Sequence, residues 1–340
     1  MDLLYYATPE GNFGDDLNTW IWDDLIPGWR DWEADAVLVG VGTVLKRGFV
    51  PEGQKKLVLG SGVGYGTQPD LGDGSDWDIR AVRGPRTAAA LGLPAETGIV
   101  DPAVMLPTLP RFAQIERTDE VLFVPHYKSV PSYDWPAICA AAGVAYQSPS
   151  DEAEAVIRRI AGARLVIAES MHAAIIADAF GVPWRGVEIT SGFNHFKWGD
   201  WAESLGMDLP PITRFFAPLR GLQSLVQRLR RAVHPKKGGA GPGGASPGGA
   251  SAGDAREVRD GIAGQLAPVL KPWAIRHLRR EAALPGTLSD PAAREAVRIR
   301  YRAMLDAVVR DYGARTSGIQ GSGMQGSGIQ GSGPGTDGTP

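Results

Sequence analysis

Short apolar runs alternate with helical patterns along the first 235 residues, and most of the runs end in glycine or proline. LLYYA (3–7), DAVLVGVG (35–42), KLVLGSGVG (56–64) and IRAVRG (79–84) predict strands. They are nearly continuous rather than alternating, as in a parallel sheet covered on both faces. DDLNTWIWDDLI (15–26) and PRTAAALGL (85–93) predict the helices between them, with Pro85 at a first turn where no N–H is needed. A second series follows. EVLFVPH (120–126), VAYQSP (144–149), RLVIAE (164–169) and WRGVEI (184–189) predict strands, and 134–142, 151–162, 171–180 and 198–205 predict helices.

The connection DPAVMLPTLPRFAQIERTD (101–119) holds three prolines and is the expected boundary. The pattern therefore predicts an α/β chain with two Rossmann-like β/α domains, 1–110 and 119–235, facing a cleft. Ligands belong outside the carboxyl ends of the strands. Beyond residue 235 the character changes. KKGGAGPGGASPGGASAGD (236–254) reads as a flexible linker. Residues 255–315 read as a helical appendage, with 12 Arg or Lys against 7 Asp or Glu. The repeat SGIQG SGMQG SGIQG marks 316–340 as a disordered tail.

Composition narrows the chemistry. A hydrophobic content of 43% is that of a soluble globular protein, and the net charge of -3 gives no case for nucleic-acid binding. A single cysteine, Cys139, excludes an intrachain disulfide framework and fits a reducing cytoplasm. No apolar run approaches the roughly 18–20 residues that span a bilayer. The start MDLLYYATPEG lacks a basic n-region and reads as a first strand rather than a signal peptide.

Several motifs can carry chemistry. His172 opens the helix after RLVIA, where it is either a packed core ring or a proton-transfer group at a strand's carboxyl end. PEGNFGDDLN (9–18) offers Asn12, Gly14, Asp15 and Asp16 as a loop for sugar hydroxyls, with helix capping as the plainer role. GSGVGYG (60–66), with Gly62, permits backbone N–H groups to face an anion, or simple close packing. Arg83 in VRGPRT suits a phosphate or carboxylate, or a structural ion pair; Arg86 reads as solvated. GFNHFKW places Asn194, His195 and Lys197 on a loop, Lys197 being a candidate anion anchor. No histidine spacing resembles a zinc site, and no G-x-S-x-G elbow is present.

In order, GNFGDDLN, VGVGTVL, LGSGVGYG, WDIRAVRGPRTAAALGL, DPAVML, ARLVIAESMHAAIIADAFGVPW and FNHFKWGDW resemble the polysaccharide pyruvyl transferase family over roughly residues 1–215. The resemblance implies a GT-B-like fold. It implies transfer from phosphoenolpyruvate onto two hydroxyls of a sugar, giving a pyruvate ketal and phosphate, with no cofactor or metal. It places the family's motif histidine on His172 and its motif arginine on Arg83, with a lysine on Lys197. Ser170, Asn194, Asn12, Gly14, Asp15, Asp16 and Gly62 are then expected in substrate binding. His195 stands where close relatives would carry a carboxylate. The expected acceptor is a glycan or lipid-linked oligosaccharide in surface polysaccharide synthesis. The expected location is the cytoplasm at the inner face of the membrane, where the Arg-rich helices would favour an anionic surface. A nucleotide-sugar glycosyltransferase and an inert glycan-binding protein are the alternatives.

Overall fold

The computed structural model describes residues 1–33, 35–189, 193–215 and 270–322. In the first half, β1 (Asp2–Leu4), β2 (Ala36–Val39), β3 (Lys55–Leu59) and β4 (Trp77–Ala81) form a parallel sheet in sequence order. All four residues of β2 are buried, which is why these runs lack alternation. In the second half, β5 (Val121–Val124), β6 (Ala145–Tyr146), β7 (Leu165–Ala168), β8 (Trp184–Glu188) and β9 (Thr213–Arg214) pair in parallel in the order β6-β5-β7-β8-β9. The order reverses between β5 and β7, a topological switch point where loops diverge and a crevice opens. The first sheet has no such reversal among the described residues. Both parallel α/β units follow the hydrophobic pattern; the strands are shorter than predicted because their glycine ends become loops. β9 was not anticipated, being only two residues, Thr213 and Arg214.

Helix boundaries differ where a side chain takes over a backbone bond. The helix predicted over 15–26 is broken into α1 (Phe13–Asp16), a 3-10 turn at Leu17–Thr19, and α2 (Ile21–Leu25). Asn18, fully buried, causes the break. Its Nδ2 donates to Asp15 O (2.9 Å) and Val41 O (3.0 Å), and its Oδ1 accepts from Val41 N (2.8 Å). Thus α1 is tied to the end of β2. α3 (Pro85–Ala90), α4 (Trp135–Ala142), α5 (Ala153–Gly162) and α6 (Met171–Ala179) fall where predicted. α7 (His195–Ser204) starts three residues early, because Asn194 Oδ1 caps Lys197 N at 3.2 Å. His195 and Lys197 are therefore in a first helical turn, not on a loop.

The three-proline connection is not an exposed boundary. Asp101 caps a 3-10 turn, Pro102–Thr108, whose Ala103, Val104, Met105 and Leu106 are buried. The C-terminal helices are likewise no separate appendage where they are described. α8 (residues 270–283) sends Ala274 and Leu278 against Phe123, Trp135 and Leu165. α9 (Pro291–Ser322) buries Tyr301, Leu305, Val308 and Tyr312 in one core with Phe13, Leu57 and Trp184. Each such side chain contributes about 1.5–3 kcal/mol of burial. Polar ties add precision: Ser289 satisfies the buried Asp178 of α6 through N (2.8 Å) and Oγ (2.6 Å). Arg298 donates to Val104 O (3.0 Å) and to Ala179 O. Tyr301 donates to Leu59 O at the end of β3. α9 runs to Ser322, into the expected tail. The expected linker 236–254, together with 323–340, lies outside the described residues.

Candidate active site

β7 ends at Ala168, and Glu169 and Ser170 turn the chain into α6. All nine residues of α6 are buried, so its sequence is apolar nearly all round, and His172 is among them. The first turn of α6 opens on a cavity of about 380 Å³ beyond the carboxyl ends of β5 and β7, at the switch point. The first half of the chain lines it with Tyr6, Asn12, Asp15, Thr43, Lys46 and Tyr65; the second half with His126, Tyr127, Lys128, Ser170, His172 and Lys197.

Burial pushes Lys197, His126 and Asp15 toward neutrality. Lys197 is held down to about 7, by desolvation and then by the nearby Arg83 guanidinium, with Asp15 acting the other way. Its Nζ lies 3.2 Å from Tyr65 Oη and 4.7 Å from that ring's centre. His126 is pushed down to about 3 by burial, Lys197 and Lys128. Asp15 is raised by burial, although His172 and a 2.6 Å bond from Asn12 Nδ2 hold part of its charge. A desolvated cation facing an open space favours an anion that completes it.

Arg83 has a different place. It stands at the end of β4, fully buried, and does not line the cavity. Its Nε meets Asp200 Oδ2 at 3.0 Å, Nη1 donates to Thr43 Oγ1 at 2.8 Å and Nη2 to Val63 O at 2.7 Å. Asp200, on α7, also accepts from Thr87 N (2.9 Å) and Thr87 Oγ1 (2.6 Å). This cluster joins the two halves behind the cavity wall. Arg86 pairs with Glu203 at 2.6 Å nearby.

The expected glycines serve side chains rather than a bound anion. A Cβ on Gly62 would stand 2.3 Å from the Arg83 guanidinium carbon. One on Gly14 would stand 2.0 Å from His172 Nδ1, so the imidazole packs directly on α1. Asp16 is likewise structural: its Oδ2 accepts Asn12 N at 2.9 Å, and it does not line the cavity. Ser170 and Asn194 do line it, Asn194 Nδ2 donating to Gly64 O across the two halves. His195 is exposed and pairs at 3.3 Å with the buried Glu188 of β8, which also accepts from Arg214; neither lines the cavity. Of the expected residues, His172, Lys197, Asn194, Ser170, Asn12 and Asp15 meet at the cavity; Arg83, Gly14, Gly62 and Asp16 lie behind it. Sequence reasoning missed His126, Tyr127, Lys128 and Glu169. The segment PHYK after β5 signals three of them, as the partner strand end at the switch point. Asp101, buried 3.7 Å from His172, was also missed.

The model of the polysaccharide pyruvyl transferase family matches residues 4–191. The chain is also 42% identical, over 319 residues, to the succinoglycan biosynthesis protein ExoV of Rhizobium meliloti (strain 1021), covering 92% of this chain and all of that protein. The chain belongs to the polysaccharide pyruvyl transferase family, and it is a transferase. Similarity over 92% of the chain takes in much of the C-terminal helical region, which the motif resemblance over 1–215 had left out.

Proposed function

We propose that the protein moves a pyruvyl group from phosphoenolpyruvate onto two hydroxyls of a glycan sugar during surface or exopolysaccharide synthesis. The observation that carries this reading is the pairing of a histidine in the first turn of α6 with desolvated Lys197 across one cavity, beside Lys46 and Lys128. Phosphoenolpyruvate carries a phosphate and a carboxylate. Lysine ammonium groups and the positive end of α6 suit both.

In this mechanism the methylene carbon takes a proton and C2 becomes electrophilic. One sugar hydroxyl adds to C2, and the second displaces phosphate. Of the two hydroxyl protons, one ends on the new methyl group and the other on phosphate. His172 is the group that carries protons. Proton transfer and charge neutralisation suffice, so the reading calls for no cofactor or metal. Lys197 binds the donor, and Arg83 acts through it by holding α7 against the first sheet. The acceptor ring lies between Tyr6 and Tyr65, which are 40% and 41% exposed at the rim, with Asn12 and Asp15 below receiving its hydroxyls. The two units facing this cavity follow a GT-B-like plan.

We assign the protein to the cytoplasm, at the inner face of the membrane, where it meets a lipid-linked acceptor. No helix among the described residues is long and apolar enough to cross a membrane. The outer face of α8 carries exposed Lys271, Arg276, Arg279 and Arg280 around Trp273, 46% exposed, which suits an anionic lipid surface. The test of function is a donor comparison. The protein is incubated with acceptor glycan and either phosphoenolpyruvate or a nucleotide sugar. Acceptor-dependent release of phosphate with an acid-labile ketal on the sugar is expected; consumption of the nucleotide sugar alone would replace this reading with a glycosyltransferase.

A further inference from the structure

We propose that Asp101 is a positioning residue that fixes the tautomer of His172, so that Nδ1 is the atom that exchanges protons. The inference rests on the pyruvyl-transfer reading for its kinetic consequence and on geometry alone for the tautomer. Asp101 is fully buried and His172 nearly so. Asp101 Oδ2 and His172 Nε2 are both buried with no hydrogen-bond partner among the described residues, and they face each other at 3.7 Å. A buried carboxylate oxygen accepts only, so the imidazole atom turned to it is a donor. That puts the proton of the neutral ring on Nε2. Nδ1 lies along Gly14 but, unlike Nε2, is not among the sealed atoms that lack a partner, so it carries the lone pair that can exchange a proton.

Asp101 is itself held rigidly. Its other oxygen accepts Ala103 N at 3.0 Å, at the head of the 3-10 turn Pro102–Thr108. Arg298 of α9 then fastens that turn and α6 together, through Val104 O and Ala179 O. The two members of the pair come from separate segments, and one arginine spans both. A gap of 3.7 Å is longer than a hydrogen bond, but neither atom has a competing partner among the described residues, so the carboxylate oxygen still selects the donor nitrogen.

Asp101→Asn is the informative variant. The Asn oxygen can still cap Ala103 N, but its amide then presents a donor to Nε2 and favours the opposite tautomer. The neutral ring is read by 15N–1H correlation spectra, with the His172 signals assigned by their loss in His172→Gln. The wild-type ring is expected to carry its proton on Nε2. Asp101→Asn is expected to move it to Nδ1, and to lower kcat by about 10²–10⁴-fold with KM for phosphoenolpyruvate nearly unchanged. A wild-type ring protonated on Nδ1 would overturn the proposal even if the variant does not fold. So would a folded Asp101→Asn protein with unaltered tautomer and kcat. A wild-type protein inactive toward phosphoenolpyruvate but with the Nε2 tautomer would remove the functional reading and leave the tautomer assignment standing.

Discussion

Two groups of charge lie on either side of the same wall. Behind it, Arg83, Asp200 and Thr87 form a sealed cluster in which the guanidinium and carboxylate are fully buried and bonded to one another. In front of it, Lys197, His172 and Asp15 line an open cavity, and the ionised forms of Lys197 and Asp15 are disfavoured. Sequence alone leaves both Arg83, at a strand end, and Lys197, on the loop after the last strand, as candidates to meet the donor's charge, with a structural ion pair open for Arg83. Their partners separate them: a cation whose donors are already taken by Asp200, Thr43 and Val63 holds structure, whereas one short of a counter-ion is free to take a ligand.

The largest test removes the support common to both clusters. Deleting residues 255–340 exposes the faces covered by Tyr301, Leu305, Val308 and Tyr312, a burial comparable with the 5–15 kcal/mol total stability of a typical protein. The truncated protein is expected to show no cooperative thermal transition; a soluble fragment that melts sharply would restore the view of 255–315 as an appendage. Next comes the contrast itself. Arg83→Ala strands Asp200 in the interior and is expected to cost about 3–5 kcal/mol in chemical denaturation. His172→Gln should leave stability nearly unchanged while kcat falls about 10²–10⁴-fold. Exchange of these two outcomes would invert the comparison.

A smaller effect is a pH dependence. Lys197 is cationic below about 7 and neutral above it. An anionic donor binds the cationic form, so affinity for phosphoenolpyruvate is expected to decline as pH rises through 7, by up to about tenfold per unit. In Lys197→Met this decline should vanish, with a loss of roughly 1.5–3 kcal/mol in binding near pH 6. Titration calorimetry at several pH values measures both; a decline that persists in the variant would locate the titrating group elsewhere. Asp15→Asn should change least. It keeps hydrogen-bonding capacity, so the acceptor KM is expected to rise about fivefold, roughly 1 kcal/mol, with a smaller change in donor affinity in the same assays, because Asp15 also supports the charge on Lys197.

The alternation of apolar runs made both sheets legible, because strands buried on two faces carry a continuous signal, as in Ala36–Val39 and Leu165–Ala168. Strand order was not legible, and with it went the switch point that explains why PHYK and SMH share a cavity. The helix 15–26 was misjudged because Asn18 bonds backbone groups of both α1 and β2, a contact set by the fold. The roles of Gly14 and Gly62 were invisible for the same reason: the atoms that demand a missing Cβ, on His172 and Arg83, are far away in sequence. Asp101 could have been suspected from DPAVML, but its partner could not.

The threading of α9 has a consequence for synthesis. Chains grow from the amino terminus, and both sheets are made before α9 exists. Until Ser289, Arg298 and Tyr301 arrive, the Asp178 carboxylate, the Val104 and Ala179 carbonyls and Leu59 O lack the partners the finished molecule gives them. A nascent chain thus holds every residue of the cavity wall without the brace that sets Asp101 against His172. A chain cut short before α9 is expected to carry the right side chains without the brace, so α9 would act as a check on completeness.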